Sequence, residues 1–117
     1  MGKGRTKYGK PDANHKDVMN ALEELPFVTV IDLKAVGEGC PDLLVGISQR
    51  NYLVEVKDGK KPPSARKFTP AQVEFQRTWK GAWHVVLSAK EAQDWAISMR
   101  TGSGPAVVSV PVVGVIK

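Results

Sequence analysis

Between residues 12 and 101 the apolar positions change period several times, and each change marks an element. In "DANHKDVMNALEEL", residues 12–25, Val18, Ala21, Leu22 and Leu25 recur at helical spacing behind a possible N-cap, Asp12, and Pro26 closes the run. "FVTVIDL", residues 27–33, is β-branched and apolar, which predicts a strand. The glycine-containing connection "KAVGEGCP" follows. "DLLVGI" and "NYLVEVK" then flank "SQR" and predict a β-hairpin. "DGKKPPSARKF" holds Gly59, Pro62 and Pro63 and is expected to be irregular. In "TPAQVEFQRTWKG", Thr69 and Gln72 have the spacing of a capping box and Pro70 sits at the first helical position. Val73, Phe75, Gln76 and Trp79 give that helix a mixed apolar stripe, with Gly81 as its stop. "WHVVL", residues 83–87, predicts another strand, and Ser88 with Glu91 is expected to form a second capping box for a helix over 89–100. The order helix, three strands, helix, strand, helix predicts an α/β fold with a mixed sheet flanked by helices. The tail "TGSGPAVVSVPVVGVIK" has no helical period, and Pro111 opposes a central strand. It is expected to be an extended arm over 101–117 that covers a sheet edge or joins a second subunit.

The hairpin carries the most informative pattern. If Ile47 pairs with Tyr52, Asp42 faces Lys57 and Leu44 faces Glu55. Opposed residues share a face, so Asp42, Glu55 and Lys57 gather on one side at one end of the hairpin. The other side collects Leu43, Val45, Ile47, Tyr52, Val54 and Val56, a continuous apolar set. A slip of one residue would break both groupings. Two explanations of the charged set stand side by side. It is either a solvated strand face with a cross-strand ion pair, or a site. As a site, two carboxylates and a backbone carbonyl suit Mg²⁺, which takes oxygen ligands and keeps several waters. Lys57 would hold a water or offset charge in a phosphoryl transition state.

Composition favours the second explanation without proving it. Lys and Arg number 17 against 12 Asp and Glu, giving a net charge of +5 and a sequence pI near 9.5. Such a balance makes a polyanion a sensible partner, nucleic acid ahead of an anionic membrane. The basic residues cluster in the loop after the hairpin and in "MGKGRTKYGK", so residues 1–11 are expected to be a flexible basic arm. That arm lacks the apolar core of a secretory signal, and no apolar run reaches the roughly 18 residues that span a bilayer. A single cysteine, Cys40, excludes an internal disulfide and a multi-thiolate zinc site. A reducing, cytoplasmic compartment is expected.

"PD" at Pro41–Asp42 followed by "EVK" at Glu55–Lys57 resembles the PD-(D/E)XK nuclease signature. With "GCPDLLVG" and "TPAQ" added, residues 12–100 resemble the stand-alone virus-type replication-repair nuclease (VRR-NUC) domains found in phages and prophages. The resemblance implies a restriction-endonuclease-like αβββαβ core and Mg²⁺- or Mn²⁺-dependent cleavage of DNA. Asp42, Glu55 and the Val56 carbonyl would bind metal, Lys57 would assist the water, and Gln72 would join the catalytic set in addition to capping its helix. Lys60, Lys61, Arg66 and Lys67 are the candidates for phosphate contact. Many such domains carry a metal-binding glutamate on the first helix; here the corresponding position is assigned to Asn14, with His15 beside it. His84 is expected to be structural, and Trp79, Trp83 and Trp95 to be core or dimer surface. Stand-alone members suggest a homodimer acting on branched DNA such as four-way junctions. Two rivals remain: a non-catalytic DNA-binding module of the same fold, and a phage accessory or structural protein.

Overall fold

The computed structural model describes residues 13–101. The basic arm, the expected cap Asp12 and the tail beyond residue 101 lie outside the described residues. Helix α1 (Ala13–Glu23) is followed by strands β1 (Val28–Asp32), β2 (Leu43–Ile47) and β3 (Arg50–Val56). A short 3-10 turn (Pro63–Arg66), helix α2 (Pro70–Thr78), strand β4 (Trp83–Val86) and helix α3 (Ala89–Thr101) complete the order. The protein is α/β, with a four-stranded mixed sheet of order β1-β2-β3-β4 flanked by helices. β1, β2 and β3 are antiparallel, whereas β4 runs parallel to β3. A parallel neighbour requires a crossover connection, and here that crossover carries the basic loop and α2.

The core lies on one face of the sheet. Val28, Leu43, Val45, Ile47, Tyr52, Val54, Val56 and Val86 are buried there with Val18 and Leu22 of α1 and Ala92, Trp95, Ala96 and Met99 of α3. Period two in the strands and the i, i+3, i+4 spacing in the helices produce this segregation. His84 belongs to the same face and stacks on Trp95 at 5.1 Å, while Tyr52 meets that indole edge-on. Burial pushes the His84 imidazole below its usual range, with Glu91 acting weakly the other way. Both His84 and Trp95 are therefore structural, as expected. Trp79 is instead 44% exposed and stacks on Phe75.

Four expectations change. The hairpin turns through two residues, Ser48 and Gln49, so Ile47 pairs with Arg50 and Val45 with Tyr52. Both turn residues have positive φ, 54° and 67°, the signature of a type I′ turn, whose twist matches that of the strands. The register is therefore shifted by two from the expected pairing of Ile47 with Tyr52; an even shift keeps every side chain on its predicted face. Second, the proline-containing loop is not wholly irregular, because Pro63–Arg66 forms the 3-10 turn. Third, α2 stops at Thr78 with Trp79 as its C-cap, before Gly81, and buries none of its side chains. Fourth, Thr101 closes α3 rather than opening the tail. The capping box of Thr69 and Gln72 forms in full. At α3, Ser88 Oγ accepts from the Glu91 N–H at 3.0 Å, but the Glu91 carboxylate reaches past the cap to the Leu87 N–H at 2.6 Å. No helix among the described residues is long and apolar enough to cross a membrane.

Ser48 and Gln49 hold left-handed conformations that Asn and Gly adopt at lower cost. The double replacement Ser48→Asn with Gln49→Gly should raise stability by about 1 kcal/mol in urea unfolding. A loss of stability would contradict the two-residue turn.

Candidate active site

Continuing the β2–β3 register past Leu43–Val54 sets Asp42 directly against Glu55, and Pro41 against Val56. The N–H groups of Leu53 and Lys57 donate to Ala82 and Val86 of the β4 segment. Val54 and Val56 therefore turn their backbone groups toward β2. Asp42 and Glu55 accordingly form a non-hydrogen-bonded pair, the kind in which opposed side chains approach most closely. Both are buried, at 8% and 4% exposure. Asp42 Oδ2 accepts from the Val56 N–H at 2.8 Å. In an extended strand the N–H and C=O of one residue point to the same side, so the Val56 carbonyl also turns toward β2. Pro41, opposite it, has no N–H to offer. The proline of the "PD" pair thus withholds the donor that would otherwise engage that carbonyl.

The Glu55 side of the pair is held by β3 and α2 together. Gln72 Nε2 donates to Glu55 Oε2 at 2.9 Å, and Gln72 Oε1 accepts from Lys57 Nζ at 3.0 Å. The same Oε1 accepts from the Thr69 N–H at 2.9 Å, and Thr69 Oγ1 accepts from the Gln72 N–H. Gln72 therefore closes the capping box and joins the carboxylate to the ammonium with one amide group. Lys57 Nζ lies 3.6 Å from Glu55 Oε2, donates to the Lys67 carbonyl at 3.3 Å, and sits over the Phe68 ring. Burial, and then the neighbouring Asp42, push the Glu55 carboxyl up to about 7; Lys57 and Lys34 oppose the rise.

The Asp42 side is held by the β1–β2 connection. Gly37, Glu38 and Gly39 all have positive φ. A Cβ on Gly39 would collide with the Ala71 carbonyl in the first turn of α2. This close approach fastens the segment carrying Asp42 to the helix carrying Gln72. Cys40 lies within the same connection, and burial, then Asp42 and Glu55, raise its thiol pKa. It stays protonated at neutral pH, in keeping with a turn residue rather than a nucleophile. Lys34 was not singled out in the sequence, yet its ammonium lies 3.3 Å from Asp42 Oδ1. The only local sign was the Asp32–Leu33–Lys34 turn, in which Asp32 Oδ1 accepts from the Lys34 N–H at 2.8 Å.

Asn14, in the first turn of α1, lies beside the ends of β3 and β4. Its amide donates to the carbonyls of Lys57 at 2.7 Å and Leu87 at 3.2 Å, stapling α1 to the ends of β3 and β4. His15 is buried, with Nε2 3.4 Å from Asp32 Oδ1 but outside hydrogen-bonding geometry. Lys60, Lys61, Arg66 and Lys67 follow β3 on a loop with internal fastenings. Asp58 Oδ1 accepts from the Lys60 N–H, and Arg66 Nε donates to the Lys61 carbonyl. Lys60, Lys61 and Lys67 are exposed and Arg66 is half-buried.

The chain matches no family model, no curated protein and no solved structure. The chemistry of the site must therefore be argued from its own groups. Among the described residues, no three His, Cys, Asp or Glu side chains converge as metal ligands. The available donors are two facing carboxylates and one carbonyl turned toward β2 beside them. All are oxygens, the ligand type of Mg²⁺ and Mn²⁺, and Mg²⁺ in particular is held by few protein groups and retains water. A divalent cation between Asp42 and Glu55 would also remove the like-charge conflict that raises the Glu55 pKa. The residues present fit such an ion.

Two outcomes follow from this geometry. Because the folded pKa of Glu55 lies above the ordinary value of 4.5, its contribution favours folding below about pH 4.5 and is lost as pH rises through about 7. Glu55→Gln should therefore stabilise the metal-free protein at pH 8 by about 1–3 kcal/mol and change little at pH 4. Chemical unfolding in EDTA at the two pH values measures this, and equal stability at pH 8 would refute it. Gly39→Ala should cost about 2–4 kcal/mol, because it combines a disfavoured φ with a backbone collision. Gly37→Ala meets open space and should cost only about 1 kcal/mol. Equal losses in the two variants would show that the contact with Ala71 contributes nothing.

Proposed function

We propose that this protein is a divalent-metal-dependent deoxyribonuclease that hydrolyses phosphodiester bonds. The observation that carries the proposal is the buried opposition of Asp42 and Glu55, with Lys57 and Gln72 in contact on one side and a basic loop following directly. A binding surface for DNA gains nothing from clustered carboxylates, which repel phosphate unless a cation lies between them.

Asp42, Glu55 and the Val56 carbonyl would hold Mg²⁺ or Mn²⁺. Bound there, the ion supplies Lewis acidity toward a phosphate oxygen and makes a neighbouring water more acidic. Lys57 presents an ammonium whose direction is fixed by Gln72 Oε1 and the Lys67 carbonyl, so it can donate to an incoming oxygen or offset charge on the phosphorane-like transition state. Gln72 keeps the carboxylate and the ammonium at fixed separation from a helix end rather than from a loop. Lys60, Lys61, Arg66 and Lys67 would hold the phosphate backbone without regard to sequence, so binding should weaken with salt. The resemblance to stand-alone VRR-NUC domains extends the proposal to a homodimer acting on branched DNA.

The test is incubation of the purified chain with duplex, single-stranded, flap and four-way-junction DNA in Mg²⁺, Mn²⁺ or EDTA. Cleavage should require the cation, and Asp42→Asn and Lys57→Ala should each reduce the rate by at least about a hundredfold. Cleavage that survives EDTA or Asp42→Asn would overturn the mechanism. A wild-type chain that binds DNA and never cuts it would establish a non-catalytic DNA-binding module instead.

A further inference from the structure

Asp42 has two oxygens with different occupations. Oδ2 is committed to the Val56 N–H. Oδ1 meets the Lys34 ammonium at 3.3 Å, a long separation for a charge-assisted bond. The two partners are unequal in setting, since the Asp42 side chain is 10% exposed and that of Lys34 39%. The backbone of Lys34 is fastened by its N–H donating to Asp32 Oδ1. On the opposite side of the pair, Lys57 and Gln72 serve Glu55. The two buried carboxylates are thus met by two ammonium groups, Lys57 with further bonds to Gln72 and the Lys67 carbonyl, and the more exposed Lys34 with one long contact.

We propose that Lys34 is a built-in counter-ion that competes with the divalent cation for Asp42 Oδ1, and so sets the cation concentration at which the site loads. The proposal rests on Asp42 and Glu55 being the metal-binding pair. An ion coordinated to Oδ1 at about 2.1 Å and an ammonium against the same oxygen repel each other strongly in a partly buried setting. One must leave. Lys34 can leave cheaply, because its ammonium has one long contact among the described residues and its side chain is partly exposed. Lys57 cannot do so without breaking its bonds to Gln72 and the Lys67 carbonyl. In the metal-free state Lys34 keeps Asp42 from standing uncompensated beside Glu55, and on loading it withdraws.

The test is calorimetric titration of the full chain with Mn²⁺ alone, without DNA. Lys34→Met keeps the stem and removes the charge; it should tighten Mn²⁺ binding about three- to tenfold and lower the thermal midpoint of the metal-free protein. Lys34→Arg should bind Mn²⁺ no more tightly than wild type. Lys90→Met removes a charge from the exposed face of α3, where Lys90 pairs with Asp94, and should leave the affinity unchanged. In an Asp42→Asn background the effect of Lys34→Met should vanish. Unchanged or weaker binding by Lys34→Met, or equal tightening by Lys90→Met, would overturn the counter-ion role while leaving the metal site intact. Absence of Mn²⁺ binding by wild type and Lys34→Met alike would remove the metal-binding pair and the counter-ion role together.

Discussion

Two buried carboxylates facing each other across neighbouring strands are the constraint around which this end of the fold is arranged. A sheet does not ordinarily seat like charges opposite one another, because each loses hydration and each raises the cost of ionising the other. Here every nearby element contributes to the compensation. β3 supplies a backbone N–H to Asp42, and the β1–β2 connection supplies Lys34. α2 supplies Gln72, and the strand beyond Glu55 supplies Lys57. The compensation is incomplete, since the Glu55 carboxyl still titrates near neutrality.

The placement of that pair was legible in the sequence because it depends only on parity. Alternation in "DLLVGI" and "NYLVEVK" assigns Asp42, Glu55 and Lys57 to one face under any even register. The register itself was not legible, because Ser48–Gln49 lacks the Asn-Gly or Asp-Gly chemistry that marks a two-residue turn. A four-residue loop was therefore equally consistent with the pattern. The consequence is material: Asp42 stands opposite Glu55 rather than Lys57, and the Lys57 ammonium lies beside Glu55, bonded to Gln72. Gln72 was legible as a capping residue, and its side chain closes the cap and touches Glu55 at once.

What escaped the sequence was set by tertiary approach rather than by local pattern. Lys34 looks like any surface lysine after a strand until the β1–β2 connection folds it back on Asp42. Asn14 carries a side chain suited to a cation's outer sphere, yet the end of the sheet gives its amide two backbone carbonyls to bind. The tightness of Gly39 against Ala71 is likewise invisible in one dimension, although a glycine-rich approach to Asp42 hinted that the backbone there takes an unusual path.

The dual use of Gln72 has a dynamic consequence. Helix α2 buries none of its side chains, so little apolar packing holds its first turn in place. Fraying of that turn would break the cap and remove the Gln72 bonds to the Lys57 ammonium and the Glu55 carboxylate in one event. The local opening of α2 and the disassembly of the carboxylate–ammonium array are then a single cooperative transition with a shared opening free energy. Protection of the Gln72 amide from hydrogen exchange would report how often the site exists in its assembled form.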